Sequence, residues 1–156
     1  NLIEWLPNNL PTEKKTSIVH GDYSLTNVMV GKDDPNVIAI LDWELSTLGD
    51  PCADFNYHCL QYTMNPKLAD KDYCRSKGIP IIEDYVQMNS EKIEIDLAEE
   101  WDLYSAYNLF KLAGILQGIL GRVRDGTAAN QNAAERASGV KNLSDTAWDL
   151  VQKNFL

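Results

Sequence analysis

Positive charge is scarce in this chain of 156 residues, which has 14 Lys and Arg residues against 23 Asp and Glu residues and a formal net charge of -9. Binding to nucleic acid needs a basic surface that displaces counterions from the phosphates. The charge balance therefore argues against a nucleic-acid partner. It does not argue against a nucleotide, because acidic enzymes bind ATP through a metal ion and a few local donors.

Long apolar runs and paired cysteines are also lacking. No segment reaches the roughly 18 apolar residues of a membrane span, and no secretory signal opens the chain, so we expect a cytoplasmic protein with no membrane contact. The three cysteines, Cys52, Cys59 and Cys74, lack the pairing of a metal site and are expected to be buried free thiols. With 44% hydrophobic residues, the composition fits one domain spanning 1–156.

What the chain does contain is a polar pattern typical of phosphoryl transfer. The tripeptide H-G-D at 20–22 is followed by Asn27, and D-W-E at 42–44 follows a second apolar run. Asn27 lies five residues after Asp22, as in the protein-kinase H-R-D-L-x-x-x-N loop, and Asp42 stands where the metal-binding Asp of D-F-G follows. Because this reaction needs positioning and charge neutralisation rather than a protein nucleophile, the pattern predicts Mg²⁺ held against a triphosphate.

Each polar residue of this pattern has a predicted role. Asn27 and Asp42 are the proposed Mg²⁺ ligands and cofactor-binding residues, since Mg²⁺ prefers hard oxygen donors. Asp22 would orient the acceptor hydroxyl and accept its proton as the catalytic base. His20 is placed in the cofactor site, where it braces the loop through hydrogen bonds. Glu44 could bind a second metal ion or a cationic substrate, and could equally anchor the loop that follows.

The elements around these residues can also be predicted. Short β-type runs predict strands at 17–19, 28–30 and 37–41, the last of them buried, with a hairpin turn at 32–36. Helices are predicted over 51–64, 79–88, 97–125 and 131–153, with a polar loop over 65–77.

Three features of the helices bear on function. Asp50 and Pro51 are typical of a helix start, and Asp54 suits the first turn but could also brace the catalytic loop. In the long helix, the side chains predicted to pack inward are Trp101, Tyr104, Leu112, Ile115 and Ile119. The glycines predicted to allow the close approach of another helix or a ligand are Gly114, Gly118 and Gly121. The aromatic residues of that helix could line an acceptor pocket, although a core role is commoner.

The motifs resemble those of a known family. H-G-D-Y-S-L-T-N at 20–27, I-L-D-W-E at 40–44 and G-D-P at 49–51 with Asp54 are similar to the aminoglycoside phosphotransferase and choline kinase-like family. The string L-D-W-E-L-S-T-L-G-D-P at 41–51 most resembles the branch whose kinase-like domain is fused to, or encoded beside, acyl-CoA dehydrogenases.

The resemblance implies an α+β fold, the C-terminal lobe of a protein kinase-like enzyme, mostly helical with a small catalytic β-hairpin. It implies Asp22 as the catalytic Asp, Asn27 and Asp42 as metal ligands, and ATP as the phosphoryl donor. It also implies, as partners, a small-molecule hydroxyl acceptor and a fused or neighbouring acyl-CoA dehydrogenase.

One part of the family pattern is missing from this sequence. Family members carry a nucleotide-binding lobe, with a phosphate-covering loop and a Lys-Glu ion pair, before the catalytic loop. Gly21 is the first glycine here, so no glycine-rich loop lies before it. We therefore expect 1–156 to be a single C-terminal catalytic lobe without the N-terminal lobe, inactive or very weak alone.

Three classes of function are compatible with these residues. The first is a small-molecule O-phosphotransferase, whose acceptor is a hydroxylated acyl thioester or else an aminoglycoside or amino alcohol. The second is a non-catalytic binding module that retains a kinase-like lobe. The third is a Mg²⁺-dependent hydrolase that uses Asp22, Asp42 and Glu44 and releases phosphate without an acceptor.

Overall fold

The computed structural model describes residues 1–11, 15–128 and 133–156. The chain divides into two compact units, one made of Asn1–Pro11 with Asp102–Leu156 and the other of Thr12–Trp101. The second unit carries every residue of the predicted site. No helix within the described ranges combines the length and apolarity that crossing a membrane requires.

The strands form two antiparallel pairs in the second unit. They are β1 (Ser17–Val19), β2 (Val28–Val30), β3 (Val37–Ile40) and β4 (Thr47–Gly49). β1 pairs with β4, and β2 pairs with β3 as the predicted hairpin, in a register that sets Val28 opposite Ile40. Three strands are confirmed, whereas β4 is absent from the prediction because three residues carry no alternation that marks a strand.

The prediction that the third strand is buried is wrong. Met29, Val30, Val37 and Ile38 on the β2–β3 hairpin keep between 44% and 63% of their surface exposed. An apolar run marks side chains that favour burial, but a two-stranded hairpin buries them only where another layer covers it. The hairpin therefore presents an apolar surface.

The helix after the strands begins as predicted. α2 (Pro51–Met64) has Asp50 as its N-cap, and the Asp50 carboxylate accepts a hydrogen bond from the Cys52 N–H at 2.8 Å. The buried side chains of this unit include Val19, Cys52, Cys59, Leu60, Cys74, Val86 and Leu97. All three cysteines are buried thiols that form no disulfide among the described residues, as expected.

The polar loop predicted over 65–77 is instead two short helices, α3 (Pro66–Ala69) and α4 (Lys71–Ser76). Each begins at a capping side chain: Asn65 accepts from the Lys67 N–H, and Asp70 accepts from the N–H groups of Asp72 and Tyr73. Asn and Asp are strong N-caps, and Pro at the first helical position is favourable, so polar composition concealed two helix starts.

Two further helix boundaries also differ from the prediction. α5 (Ile82–Ile93) begins after Pro80, with Ile81 as its N-cap, and ends at Glu94 in the left-handed conformation. α6 (Trp101–Arg124) begins four residues later than predicted. The delay follows from Asp96, whose carboxylate accepts from the N–H groups of Ala98 and Glu99 and so favours a turn over a helix.

The first unit is helical. It contains α1 (Leu2–Trp5), a 3₁₀ turn (Leu6–Asn8), most of α6, α7 (Ala133–Arg136) and α8 (Val140–Phe155). Its buried apolar side chains include Leu2, Leu6, Leu109, Ala113, Leu143, Ala147 and Val151. The predicted final helix is two helices separated by a turn at 137–139, and residues 131 and 132 lie outside the described part of the chain.

One expectation about α6 is wrong, and a second is not tested. Ile115, expected to pack inward, is exposed. A Cβ added at Gly114 or Gly121 would meet no heavy atom of the described residues within 4 Å. No described element packs closely against these two glycines, so the approach of another helix or a ligand to them stays a prediction.

Candidate active site

The loop after β1 is anchored to the first turn of α2. The Asp54 carboxylate accepts hydrogen bonds from the backbone N–H groups of His20, at 2.8 Å, and Gly21, at 2.9 Å. Asp54 therefore braces this loop, which was one of its two possible roles. Because the bonds join residues 33 and 34 positions apart, they fix the loop relative to the helix.

Gly21 allows a close approach that no other residue type permits. Its φ angle is +83°, and a Cβ at this position would lie 2.6 Å from the Leu45 carbonyl oxygen. Only glycine combines this left-handed conformation with so short a distance between backbones. The H-G-D loop is thereby packed against the 3₁₀ turn Trp43–Leu45 that follows Asp42.

His20 connects the two motifs. Its Nδ1 accepts a hydrogen bond from the Asp22 N–H at 3.3 Å, so the ring proton of the neutral imidazole is assigned to Nε2, which donates to the Leu41 carbonyl oxygen at 2.8 Å. The ring is buried and lies 4.8 Å from the Trp43 ring. His20 thus makes bracing contacts on both sides, while its place in cofactor binding stays a prediction.

Asn27 closes the catalytic loop. Its Nδ2 donates to the Asp22 carbonyl oxygen at 3.0 Å. The backbone carbonyl oxygen of Asn27 accepts a hydrogen bond from the Leu41 N–H at 2.8 Å, at the end of the hairpin. Asp22, Asn27 and the residue before Asp42 are therefore held together by backbone and amide hydrogen bonds.

Asp42 has a strained backbone and an uncommitted side chain. Its φ angle is +67°, in the left-handed region that costs a residue with a Cβ about 1 kcal/mol or more. It occupies the N-cap position of the following 3₁₀ turn, yet its carboxylate makes no capping hydrogen bond. Strain of this kind is found at functional sites, and the carboxylate remains available for a cation.

The donor set fits Mg²⁺. The Asn27 amide nitrogen is engaged with Asp22, which leaves Oδ1 of that amide for a metal ion, and the Asp42 carboxylate makes no hydrogen bond with its own turn in the described structure. One amide oxygen and one carboxylate are a usual protein contribution, with phosphate oxygens and water completing the octahedron.

The structure does not support the anchoring role of Glu44 or the three-carboxylate metal site. The Glu44 side chain is exposed, and among the described residues it makes no hydrogen bond or ion pair that would anchor the following loop. Across the described ranges, no group of three or more His, Cys, Asp or Glu side chains is arranged to hold a metal ion. Asp22, Asp42 and Glu44 thus do not form the ligand cluster that the hydrolase hypothesis needs.

Comparison with known proteins identifies the family of the chain. A sequence model of the phosphotransferase enzyme family matches residues 1–102, about two thirds of the chain. The chain belongs to this family. The crystal structure of a candidate aminoglycoside phosphotransferase from Ralstonia eutropha superposes with a TM-score of 0.89 at 38% identity, over 97% of this chain and 48% of the other.

Two relatives bear the names of acyl-CoA dehydrogenases. The chain is 37% identical to mouse acyl-CoA dehydrogenase family member 10, over 97% of this chain and 15% of the relative. It is 32% identical to human acyl-CoA dehydrogenase family member 11, over 99% of this chain and 20% of the relative. The chain thus spans a fifth or less of these relatives and about half of the solved structure. The kinase-like fold is confirmed, and so is the resemblance to relatives that bear acyl-CoA dehydrogenase names; a dehydrogenase partner stays a prediction.

The structure brings to the site one residue, Tyr57, that the sequence prediction missed. The Tyr57 hydroxyl, on α2, donates to Asp22 Oδ1 at 3.1 Å. Burial, followed by the negative charges of Asp22 and Asp54, raises the pKa of Tyr57 to about 12. The signal that could have found it is its position three residues after Asp54, which places both on one face of α2.

Aromatic side chains lie on the other side of the loop that carries Asp22. The Tyr23 ring lies 4.9 Å from the His58 ring, and His58 Nε2 lies 3.2 Å from the Tyr85 hydroxyl. Burial lowers the pKa of His58, and the Asp54 carboxylate opposes this effect.

A cavity of about 200 Å³ lies next to these rings. Its lining is mainly apolar, and comprises Ile18, Val19, Tyr23, Pro51, Asp54, Phe55, Asn89, Ile93 and Leu97. Of the aromatic residues of α6 considered for an acceptor pocket, Trp101 packs its ring against Phe55 and Tyr104 is buried, which are core roles.

Proposed function

We propose that the protein transfers the γ-phosphoryl group of ATP to a hydroxyl of a small molecule, with Mg²⁺ as cofactor. The observation that carries this proposal is the closed loop around Asp22. Asn27 bonds back to Asp22, and Leu41 bonds to both Asn27 and His20 through its backbone. A base and two oxygen ligands that hydrogen bonds bring together are what in-line phosphoryl transfer requires.

The residues divide the reaction between them. Asp22 orients the acceptor hydroxyl and takes its proton while the new O–P bond forms and the bond from the γ-phosphorus to the ADP oxygen breaks. Asn27 and Asp42 would hold Mg²⁺, which when bound neutralises charge on the phosphate oxygens. His20 keeps the base and the metal ligands in register, and Glu44, exposed beside Asp42, is the candidate for a second metal ion.

The exposed hairpin supports a further part of the proposal. Apolar side chains of this size in contiguous strands and turns mark an interaction surface. We propose that a nucleotide-binding lobe, from a longer protein that contains this chain, covers the β2–β3 hairpin and the apolar side chains of Trp43, Leu45 and Leu48, all exposed here. Full activity then belongs to the longer protein, with the isolated chain inactive or very weak.

The relatives support two candidate classes of acceptor. Similarity to acyl-CoA dehydrogenase family members favours a hydroxylated acyl thioester and a fused or neighbouring dehydrogenase as partner. The candidate aminoglycoside phosphotransferase makes an aminoglycoside or amino alcohol the competing acceptor.

The test is calorimetric titration with ATP and Mg²⁺, together with transfer assays, in the longer protein. Asp42→Asn should abolish binding of the magnesium nucleotide without unfolding the turn, since Asn tolerates the left-handed conformation. Asp22→Asn should spare binding and reduce transfer by about 10²-fold or more. Asp33→Asn, an exposed carboxylate on the hairpin turn, is the matched control and should change neither.

Each hypothesis gives a different result. Equal residual transfer in Asp22→Asn and Asp42→Asn would refute the assigned roles. Nucleotide binding with no transfer to hydroxyacyl-coenzyme A thioesters, aminoglycosides or amino alcohols favours the binding module. Release of phosphate without any acceptor favours the hydrolase.

A further inference from the structure

The candidate base is contacted by a side chain from outside its own loop. Asp54 and Tyr57 lie three residues apart on α2, on the face that meets the loop. Asp54 holds the loop backbone through His20 and Gly21, whereas Tyr57 reaches the Asp22 carboxylate itself, at 3.1 Å from Oδ1. One helix face thus supports both the main chain and the reactive group.

We infer that Tyr57 is a positioning residue, which fixes the rotation of the Asp22 carboxylate by occupying Oδ1 and leaves Oδ2 to receive the acceptor proton. This inference rests on the proposed function, because it assigns Tyr57 a role only if Asp22 is the base. Tyr57 does not touch the reacting atoms and acts through Asp22.

A carboxylate needs such a partner for a physical reason. Rotation about χ2 of an Asp side chain is broad, so without an external donor the two oxygens exchange places and sample poor orientations. A tyrosine ring on a helix is a stiff support, with only two rotatable bonds before the hydroxyl. Because the hydroxyl keeps its proton well above neutral pH, it remains a donor under assay conditions.

Placing the Tyr57 hydroxyl here costs desolvation free energy, which a residue that only fills space would not need. The Tyr57 hydroxyl and ring lie near two carboxylates, Asp22 and Asp54, and are partly removed from water. A side chain needed only to fill space would be equally well served by phenylalanine, which has no hydroxyl to desolvate. The hydroxyl is therefore the feature to remove.

The experiment compares two single-atom deletions on the same helix. Tyr57→Phe removes the hydroxyl that meets Asp22, and Tyr62→Phe removes a hydroxyl that donates to the Pro80 carbonyl oxygen at 2.9 Å, away from the site. Steady-state transfer from magnesium-ATP is measured in the longer protein, with the hydroxyacyl-coenzyme A thioester that the wild type phosphorylates fastest as the acceptor. Binding of magnesium-ATP is measured by calorimetry.

If Tyr57 positions the base, its hydroxyl should affect kcat and leave the KM values nearly unchanged. Tyr57→Phe should lower kcat about tenfold while the KM of each substrate and the affinity for magnesium-ATP change less than about twofold. Tyr62→Phe should leave all of these constants unchanged. A misoriented base slows the chemical step without weakening either substrate, which a general loss of structure does not do.

Two results overturn the inference when the wild-type protein is active. One is an unchanged kcat in Tyr57→Phe, with Asp22→Asn still strongly impaired, which leaves the proposed function standing. The other is a parallel loss of kcat and nucleotide affinity, which makes Tyr57 a structural residue. If the wild-type protein transfers phosphate to no acceptor, the proposed function fails, and the inference fails with it.

Discussion

Replacing Asp54 with alanine should destabilise the second unit by more than its partly exposed position suggests. The carboxylate accepts two backbone hydrogen bonds, at 2.8 Å from the His20 nitrogen and 2.9 Å from the Gly21 nitrogen. A hydrogen bond to a charged group contributes about 1.5–3 kcal/mol. Because water can reach this partly buried site, we take the lower end for each, and expect a loss of about 3 kcal/mol in the free energy of unfolding.

The matched control is Asp70→Ala. Asp70 also accepts two backbone N–H groups, from Asp72 and Tyr73, but at an exposed helix start where water replaces it. This change should cost about 1 kcal/mol.

Urea unfolding followed by tryptophan fluorescence gives both values, provided that the slope with urea is the same in the wild type and the variants. A loss for Asp54→Ala no larger than that for Asp70→Ala would refute the view that Asp54 holds the loop to α2.

Two other predictions use the same unfolding assay. Gly21 and Gly78 both have positive φ angles, of 83° and 67°, but an added Cβ would lie 2.6 Å from the Leu45 carbonyl oxygen at Gly21 and would meet no heavy atom of the described residues within 4 Å at Gly78. Gly78→Ala should therefore lower the free energy of unfolding by about 1 kcal/mol, and Gly21→Ala should lower it clearly more. Equal losses for the two variants would contradict the predicted clash. Burial lowers the pKa of His58 below its usual 6.5, so the unfolded chain binds this proton more readily than the folded chain does. The free energy of unfolding should therefore be constant above about pH 6.5 and decrease below that pH. The His58→Gln variant should lack the part of this decrease that is due to His58. Parallel pH profiles for the wild type and His58→Gln would contradict this role of His58.

The parts of the site that could be predicted are those built from short-range contacts. Asn27 bonds to a residue five positions away, and the β2–β3 hairpin closes over a turn that is rich in Asp and Asn. The N-cap of α2 is likewise set by two adjacent residues, Asp50 and Pro51. In each case the residues that determine the geometry lie in one short window of sequence, so their types and spacing are sufficient.

Two long-range contacts were not predicted, although the Asp54 brace, which is also long-range, was one of the two roles expected for that residue. β4 exists because Ser17 pairs with Gly49 across 32 positions, and three residues without alternation give no sign of that partner. Tyr57 reaches Asp22 across 35 positions. A tyrosine in an amphipathic helix is most often a core residue, so its type alone did not distinguish this contact from packing.

Exposure of the hairpin could not be predicted for another reason. The apolar residues at 37–41 favour burial, and the sequence shows this correctly. Whether a layer covers them depends on what packs against the hairpin, which no property of the strand itself determines. The helix starts at Pro66 and Lys71 were missed because capping residues are polar and resemble a loop in composition.

The two functional halves of the site rest on different supports. The candidate base is held by α2, through Asp54 to its loop and through Tyr57 to its carboxylate. The candidate ligand Asp42 follows a hairpin whose apolar side chains are exposed, and its backbone is strained. Strain persists only where surrounding contacts enforce it. Covering the hairpin should therefore order the metal-binding half more than the base, so that a nucleotide-binding lobe is expected to raise nucleotide affinity without moving Asp22.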